Sequence, residues 1–330
     1  MTFLSILFAL LIEQLKPLRA DNPIYESIRA LAVRMEGWFN AGQVQNGRLA
    51  WFVMILSLTL PTALIYWLCA RVSPLLALVW NVLIVYLTLG FRHYSHYFTS
   101  IQLALNAGED SAARLLLAEW TKLDTVGMDT SEISRIAVER ALISTHRNVF
   151  GVFFWFLMPL GPACAVMYRV AEYLARAWTE PEHMRHEAFG RFAAIAFYWL
   201  DWVPVRLTAV AFAVVGNFED AIYAWRNFAG RWQDEAVGIL LSAGGGAMGV
   251  RLGVPAQTAA TAVQAGVDDA DLAAMPLDGD ASSGDAAPGE ASPGEESNAR
   301  ALQSTVGLVW RALLLWMLLL LLLSLAVWVG

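Results

Sequence analysis

Cysteine is almost missing, with two among 330 residues, too few for a disulfide scaffold or a thiolate metal centre. Cys69 and Cys164 both fall in apolar stretches, where a thiol behaves as a small hydrophobe. Charge is also scarce, at 15% of the chain, and the 22 Lys and Arg are outnumbered by 29 Asp and Glu. No basic footprint for nucleic acid is present, and no nucleic-acid partner is expected. There is no Gly-x-Ser-x-Gly elbow, no cysteine with a plausible histidine partner and no zinc spacing, so nothing points to hydrolysis. The amino terminus lacks a basic region ahead of its apolar run and a small-residue cleavage site after it, so it should be retained as a membrane-embedded helix.

What the chain has instead is apolar surface. Apolar residues make up 58% of it, 14 of them Trp, and the mean hydropathy is +0.50, too much for one soluble core. The last 25 residues, 306–330, read VGLVWRALLLWMLLLLLLSLAVWVG and carry a single charge, Arg311. A helix of about 20 apolar residues crosses a bilayer core, so this segment is a span. The expected fold class is all-α: a polytopic integral membrane protein of about four to six membrane-embedded helices, with a cytoplasmic helical segment and a tethered C-terminal transmembrane helix.

The pattern divides the chain into a membrane domain at 1–255, an acidic linker at 256–299 and a last helix at 300–330. Nine acids, from Asp268 to Glu296, fall in the linker without one Lys or Arg; they outweigh the net charge of −7 and leave the remainder at +2. With hardly a large apolar side chain, the linker cannot offset its ordering entropy and is expected to be disordered. Within the membrane domain, residues 1–15 form a short apolar helix, 24–39 an amphipathic one, and 49–70 a span. A turn at Arg71-Val72-Ser73-Pro74 leads into a second crossing that ends near Phe91. Residues 92–148 are charged and helix-prone, with a turn at 108–110 and a capping signal at Asp129-Thr130-Ser131-Glu132. Basic loops favour the cytoplasm, which places this insert and 16–48 there. Residues 149–168 contain Pro159, Gly161 and Pro162, the pattern of a kinked span or a re-entrant pair, and a further crossing runs over 192–216. Arg169, Arg176, Arg185 and Arg191 conflict with strict alternation, so a re-entrant or interfacial segment is expected there.

Charges inside apolar stretches are the first candidates for chemistry, because each costs several kcal/mol unless paired or hydrated. Asp201 and Arg206 qualify; the plainer reading is an interfacial helix whose charges reach headgroups. Their spacing puts them on different helix faces. Arg135 and Glu139, four apart, can pair on one face, and Glu13 ends an apolar helix with Lys16 and Arg19 close behind. His93 with His96, and His183 with His186, have the spacing of paired ligands, yet no third ligand is fixed nearby, so interfacial histidine is favoured and no metal site is assigned. The glycines of 244–249 suit close helix packing better than a phosphate cradle, since no Lys-Ser or Lys-Thr follows.

An ordered set of short motifs adds a resemblance. Asp124-Thr125, Ile-x-Arg-x-Ala-Val-Glu over 133–139, Phe153-Phe154-Trp155 and Tyr168-Arg169-Val170 are followed by Phe189-Gly190, Val-Pro-Val-Arg-Leu over 203–207 and Met-Gly-Val-Arg-Leu-Gly over 248–253. In this order they resemble the CobD/CbiB family, membrane proteins of cobalamin biosynthesis. The resemblance implies a synthase that condenses aminopropanol phosphate with adenosylcobyric acid, a corrinoid partner, and a nucleoside triphosphate with Mg. It implies Glu139 and Asp124 as catalytic residues and Glu13, Arg135, Asp201, Arg206 and Arg251 as ligand-binding ones. The chain departs from the family pattern where an acid-Asn pair becomes Ile143 and Ser144, Asp-Gly becomes Arg147 and Asn148, an Asn and an Asp become Glu172 and Ala175, paired acids become Phe197 and Tyr198, and a His-Pro motif becomes Asn22-Pro23. Those departures leave open a synthase using the acids that remain or a catalytically reduced member. Leu-Asp-Trp-Val-Pro-Val-Arg-Leu over 200–207, the His93 and His96 arrangement and the single C-terminal span also resemble the AmpE proteins. That resemblance implies the alternative, a non-enzymatic inner-membrane modulator of cell-wall and β-lactamase signalling. Membrane lipids are expected around either protein, and a membrane protein partner or a second copy is the further expectation.

Overall fold

The computed structural model describes residues 2–16, 23–39, 44–179, 187–232, 234–253 and 293–329. The described residues are helical, apart from turns and one isolated parallel bridge between Val250 and Glu295. Helix α1 spans Thr2–Leu15, α2 Pro23–Phe39, α3 Val44–Val72, α4 Pro74–Thr88, α5 Phe91–Asn106, α6 Asp110–Thr121 and α7 Thr130–Thr145. A π turn, His146–Phe150, leads into α8 at Gly151–Phe156 and then α9 at Pro162–Ala177. After them come α10 at Glu187–Val215, α11 at Phe218–Phe228, α12 at Glu235–Met248 and α13 at Ala299–Val329.

Among the described residues, three helices are long and apolar enough to cross a membrane: Gln45–Val72, Phe189–Val215 and Ala299–Ala326. Two have the length and hydropathy expected of the crossings at 49–70 and in the last helix, and the third covers the stretch expected to cross over 192–216. The second crossing expected to end near Phe91 is shorter. Helix α4 has 15 residues, about 22 Å at 1.5 Å per residue, against a hydrocarbon core of about 30 Å. Its start is fixed by Ser73, whose hydroxyl accepts from the Leu75 N–H with Pro74 in the first turn. Residues 149–168 are broken: a turn containing Gly161 at φ +49° ends the α8 segment, and Pro162 opens α9. Pro61 and Pro204 lie inside α3 and α10 without ending either helix.

The chain divides into two compact units. The first comprises Met1–His93, Thr145–Pro204 and Trp316–Gly330. Its core joins α2, α3, α9 and α10 through Ala32, Met54, Ile55, Ala171, Leu174 and Phe189. Gly47 and Gly190 permit close backbone approaches there, since a Cβ on Gly47 would meet the Phe189 carbonyl and one on Gly190 the Trp178 carbonyl.

The second unit comprises Tyr94–Ser144 and Val205–Leu315. Asn217 caps α11 and Asp234 caps α12, each accepting from a backbone N–H of its first turn. The expected box at 129–132 forms, Asp129 accepting from the Glu132 N–H at 2.7 Å. The glycines of α12 pack helices: Gly244 faces Leu142 and Phe212, Gly246 lies on the backbone of Asp220 and Ala221, and Gly249 ends the helix at φ +69°. Residues 256–292 of the expected linker, with His183 and His186, lie outside the described residues. Residues 293–298, expected as part of that linker, have a defined place against the end of α12. Glu295 donates its N–H to the Gly249 carbonyl at 2.9 Å and accepts from the Arg251 N–H at 2.8 Å, and Ser297 donates to the Arg251 carbonyl at 3.1 Å.

Candidate functional site

Asp201 is 3% exposed in the middle of α10. A carboxylate there needs partners, and the first unit supplies two. His146 Nε2 lies 2.9 and 3.1 Å from its two oxygens, and the Tyr168 hydroxyl donates to Oδ1 at 2.8 Å. His146 sits on the π turn and Tyr168 on α9, both buried. Gly151 makes room for the Tyr168 ring, since a Cβ on it would overlap that hydroxyl.

Further charges surround this trio. Arg147 faces both Asp201 and Tyr168 electrostatically and lies over the Phe197 ring at 5.9 Å, which in turn packs on Tyr168 at 5.6 Å. Glu172, one turn beyond Tyr168, is buried, with Arg169 at 3.3 Å and Arg176 at 3.7 Å. Arg169 faces the Tyr25 phenol electrostatically, as do Glu13 and Glu172. Burial holds the Tyr25 phenol above its ordinary value, offset in part by Arg169, and its hydroxyl donates to the Leu87 carbonyl at 2.6 Å. Glu13 is buried on the inward stripe of α1 with Ser5, Ile6 and Ala9. Acid, base and phenol groups from α1, α2, the π turn, α9 and α10 thus form a polar track through an apolar unit. Arg147, Glu172 and Phe197, three positions where the chain departs from the family pattern, all fall on it.

The other expected site residues lie in the second unit. Arg135 and Glu139 pair at 3.1 Å, and Glu139 Oε1 also accepts from the Gly253 N–H at 2.8 Å. Glu139 thereby grips the Met248–Gly253 motif, in which the backbone of Arg251 is held by Glu295 and Ser297. Arg206 pairs with Glu235 at 2.7 Å. Asp124 closes a turn by accepting from the Val126 N–H at 2.9 Å. The structure brings Arg135, Glu139 and the Arg251 segment together, while Asp124 and Arg206 have their own partners. Sequence reasoning passed over His146, Tyr25 and the roles of Tyr168 and Glu172. The available signal was Asp201, whose burial demands polar partners from other apolar elements.

Among the described residues, no three or more His, Cys, Asp or Glu side chains gather as a metal cage.

A buried polar track threading apolar helices defines a helical membrane protein with an internal polar site. The family model for CobD/Cbib proteins matches residues 8–274, and this chain belongs to the CobD/CbiB family. The cobalamin biosynthesis protein CobD of Stutzerimonas stutzeri (strain A1501) is 34% identical over 257 residues, covering 76% of this chain and 82% of that protein. CobD of Chromobacterium violaceum is 33% identical over 213 residues, 64% of this chain and 67% of its own. Protein AmpE of Shigella flexneri is 30% identical over 141 residues, 40% of this chain and 46% of that protein, a narrower match. No solved structure matches.

Proposed function

We propose that this chain is a multi-pass protein of a bacterial inner membrane that forms an amide bond between aminopropanol phosphate and adenosylcobyric acid. Family membership supports the setting in cobalamin biosynthesis. The observation that carries the reaction is the buried Asp201, His146 and Tyr168 trio, an acid–base group inside an apolar unit where charge is costly.

Amide formation asks for a deprotonated amine, a carboxyl group activated by nucleoside triphosphate and cations for the anionic ends. Asp201 and His146 suit the proton, and Arg147 and Arg169 would meet phosphate or carboxylate, because a guanidinium stays charged and binds such groups in a fork. Glu13 and Glu172 would orient the ammonium end. On this reading Glu139 and Arg135 act by shaping the Arg251 segment, and Asp124 by closing its turn.

The test is complementation. Expressed in a bacterium lacking its cobinamide-phosphate synthase and fed cobyric acid, the chain should restore cobalamin-dependent growth. Failure of a chain shown to be inserted and folded would overturn the reading and favour the AmpE-like modulator, which the partial match to the Shigella flexneri protein supports.

A further inference from the structure

Helices α2 and α3 leave an apolar groove between them, lined by Pro23, Ile24, Ser27, Ile28, Leu31 and Leu58, with a volume of about 360 Å³. Ser27 is its one polar lining residue, and its hydroxyl turns back to donate to the Pro23 carbonyl of its own helix at 2.7 Å. We propose that this groove binds an anionic phospholipid, with an acyl chain between the helices and the phosphate on Arg34. The inference is independent of the synthase reading.

The direction of the helices sets the two ends of the site. Leu58 comes 14 residues after Val44, the first residue of α3, about 21 Å along that helix, yet it meets the first half of α2. The two helices therefore run antiparallel, and the last turns of α2 lie beside the start of the span. A helix brings every seventh residue back to nearly the same side, about 10 Å further on. Arg34 follows Ser27 by seven and Trp38 follows Leu31 by seven. Both are exposed, Trp38 at 73%. A cation that stays charged and an indole of the kind that settles at headgroup level thus continue the groove toward the membrane surface. In the other direction Ile65 follows Leu58 by seven along α3. Ile65 is 38% exposed and Leu68, the next turn on, 49%, so the groove runs on into the outer, apolar side of the span.

Apolar walls along a span with a lasting positive charge at one end fit an anionic amphiphile. A second helix, about 10 Å across, would fill that volume with a single turn. The basic residues of 16–48 place this end of α2 on the cytoplasmic side, the leaflet in which anionic lipids gather.

The experiment places the full chain in phosphatidylcholine nanodiscs with graded phosphatidylglycerol and counts the lipid that stays on the released protein by native mass spectrometry. One phosphatidylglycerol should be kept per chain, saturably and in preference to phosphatidylcholine. Arg34→Ala should weaken its retention about fivefold, the worth of one basic residue against an anionic headgroup. Arg29→Ala should leave it unchanged, because Arg29 lies about 160° round α2 from Leu31. Ser27→Trp, made at an exposed position, fills the groove and should abolish retention. Retention that survives Ser27→Trp, or that falls equally with Arg34→Ala and Arg29→Ala, would overturn the proposal. Equal retention of the two lipids by the wild type, or a second copy of the chain seated in the groove, would overturn it as well. A measurement on the unaltered chain removes any dependence on how the variants fold. Phosphatidylglycerol with a photoactivated diazirine in its acyl chain should label peptides containing Ile24–Leu31 and Leu58, and labelling that is absent there while present on other helices overturns the proposal.

Discussion

Gly151→Ala probes the buried trio without touching a charge. Gly151 has regular helical backbone angles, φ −62° and ψ −41°, so alanine brings no backbone penalty and in an open helix would stabilise by about 0.5 to 1 kcal/mol. At this position the added Cβ would lie 2.6 Å from Cε1 of Tyr168 and closer still to its hydroxyl. The ring must move, and with it goes the hydrogen bond to Asp201. Overpacking costs about 1 to 3 kcal/mol, and a lost bond to a charged group about 1.5 to 3 kcal/mol. Moving the ring both relieves the clash and breaks the bond, so the two costs do not add; a net loss of about 1 to 3 kcal/mol remains after the helix gain. Thermal unfolding of the solubilised chain measures it, with Gly37→Ala as control because nothing lies within 4 Å of a Cβ there. The control should match or exceed the wild type, and Gly151→Ala should unfold earlier. Equal midpoints for the two variants would refute the packing of Tyr168 described above.

Glu139→Gln keeps an acceptor for the Gly253 N–H and should leave protease sensitivity near that residue unchanged, whereas Glu139→Ala should raise it. Gly294→Val places side-chain atoms within 2.9 Å of the Val250, Arg251 and Gly249 backbone. It should speed hydrogen exchange at the Arg251 amide by roughly five- to tenfold, the equivalent of one lost hydrogen bond of about 1 to 1.5 kcal/mol. Tyr25→Phe should destabilise the chain at pH 8 by about 1 kcal/mol through loss of the bond to Leu87. Burial raises the Tyr25 phenol above its ordinary value of 10.0, so its contribution is complete below about pH 10 and falls as pH rises through the folded value. The gap between Tyr25→Phe and wild type, read by thermal unfolding, should therefore narrow in alkali; a gap constant to pH 11 would contradict the burial argument.

Long apolar runs made much of the fold legible. The α3 and α13 spans follow from length and hydropathy, and the start of α4 from Ser73-Pro74. The end of α4 was less legible, because Leu89 and Phe91 continue the apolar pattern past Thr88, where the helix stops. Part of the linker also escaped prediction. Its composition argues for disorder, but the pairing of 293–298 with 249–251 uses backbone groups that composition does not report. At the site, Asp201 stood out because its neighbours are apolar. His146 did not, since the residues before it are polar and its partner lies 55 positions away. Glu139 was visible through its i, i+4 arginine, while its bond to Gly253 spans 114 positions and follows only from the fold.

The central claim is that the working acid of this chain is Asp201, with Glu139 holding a segment in shape. The most direct measurement is growth of the synthase-deficient bacterium carrying Asp201→Asn or Glu139→Gln, each confirmed as inserted at wild-type level. Asp201→Asn should abolish cobalamin-dependent growth, and Glu139→Gln should preserve it. Growth with Asp201→Asn and none with Glu139→Gln would contradict the account and move the chemistry to the second unit.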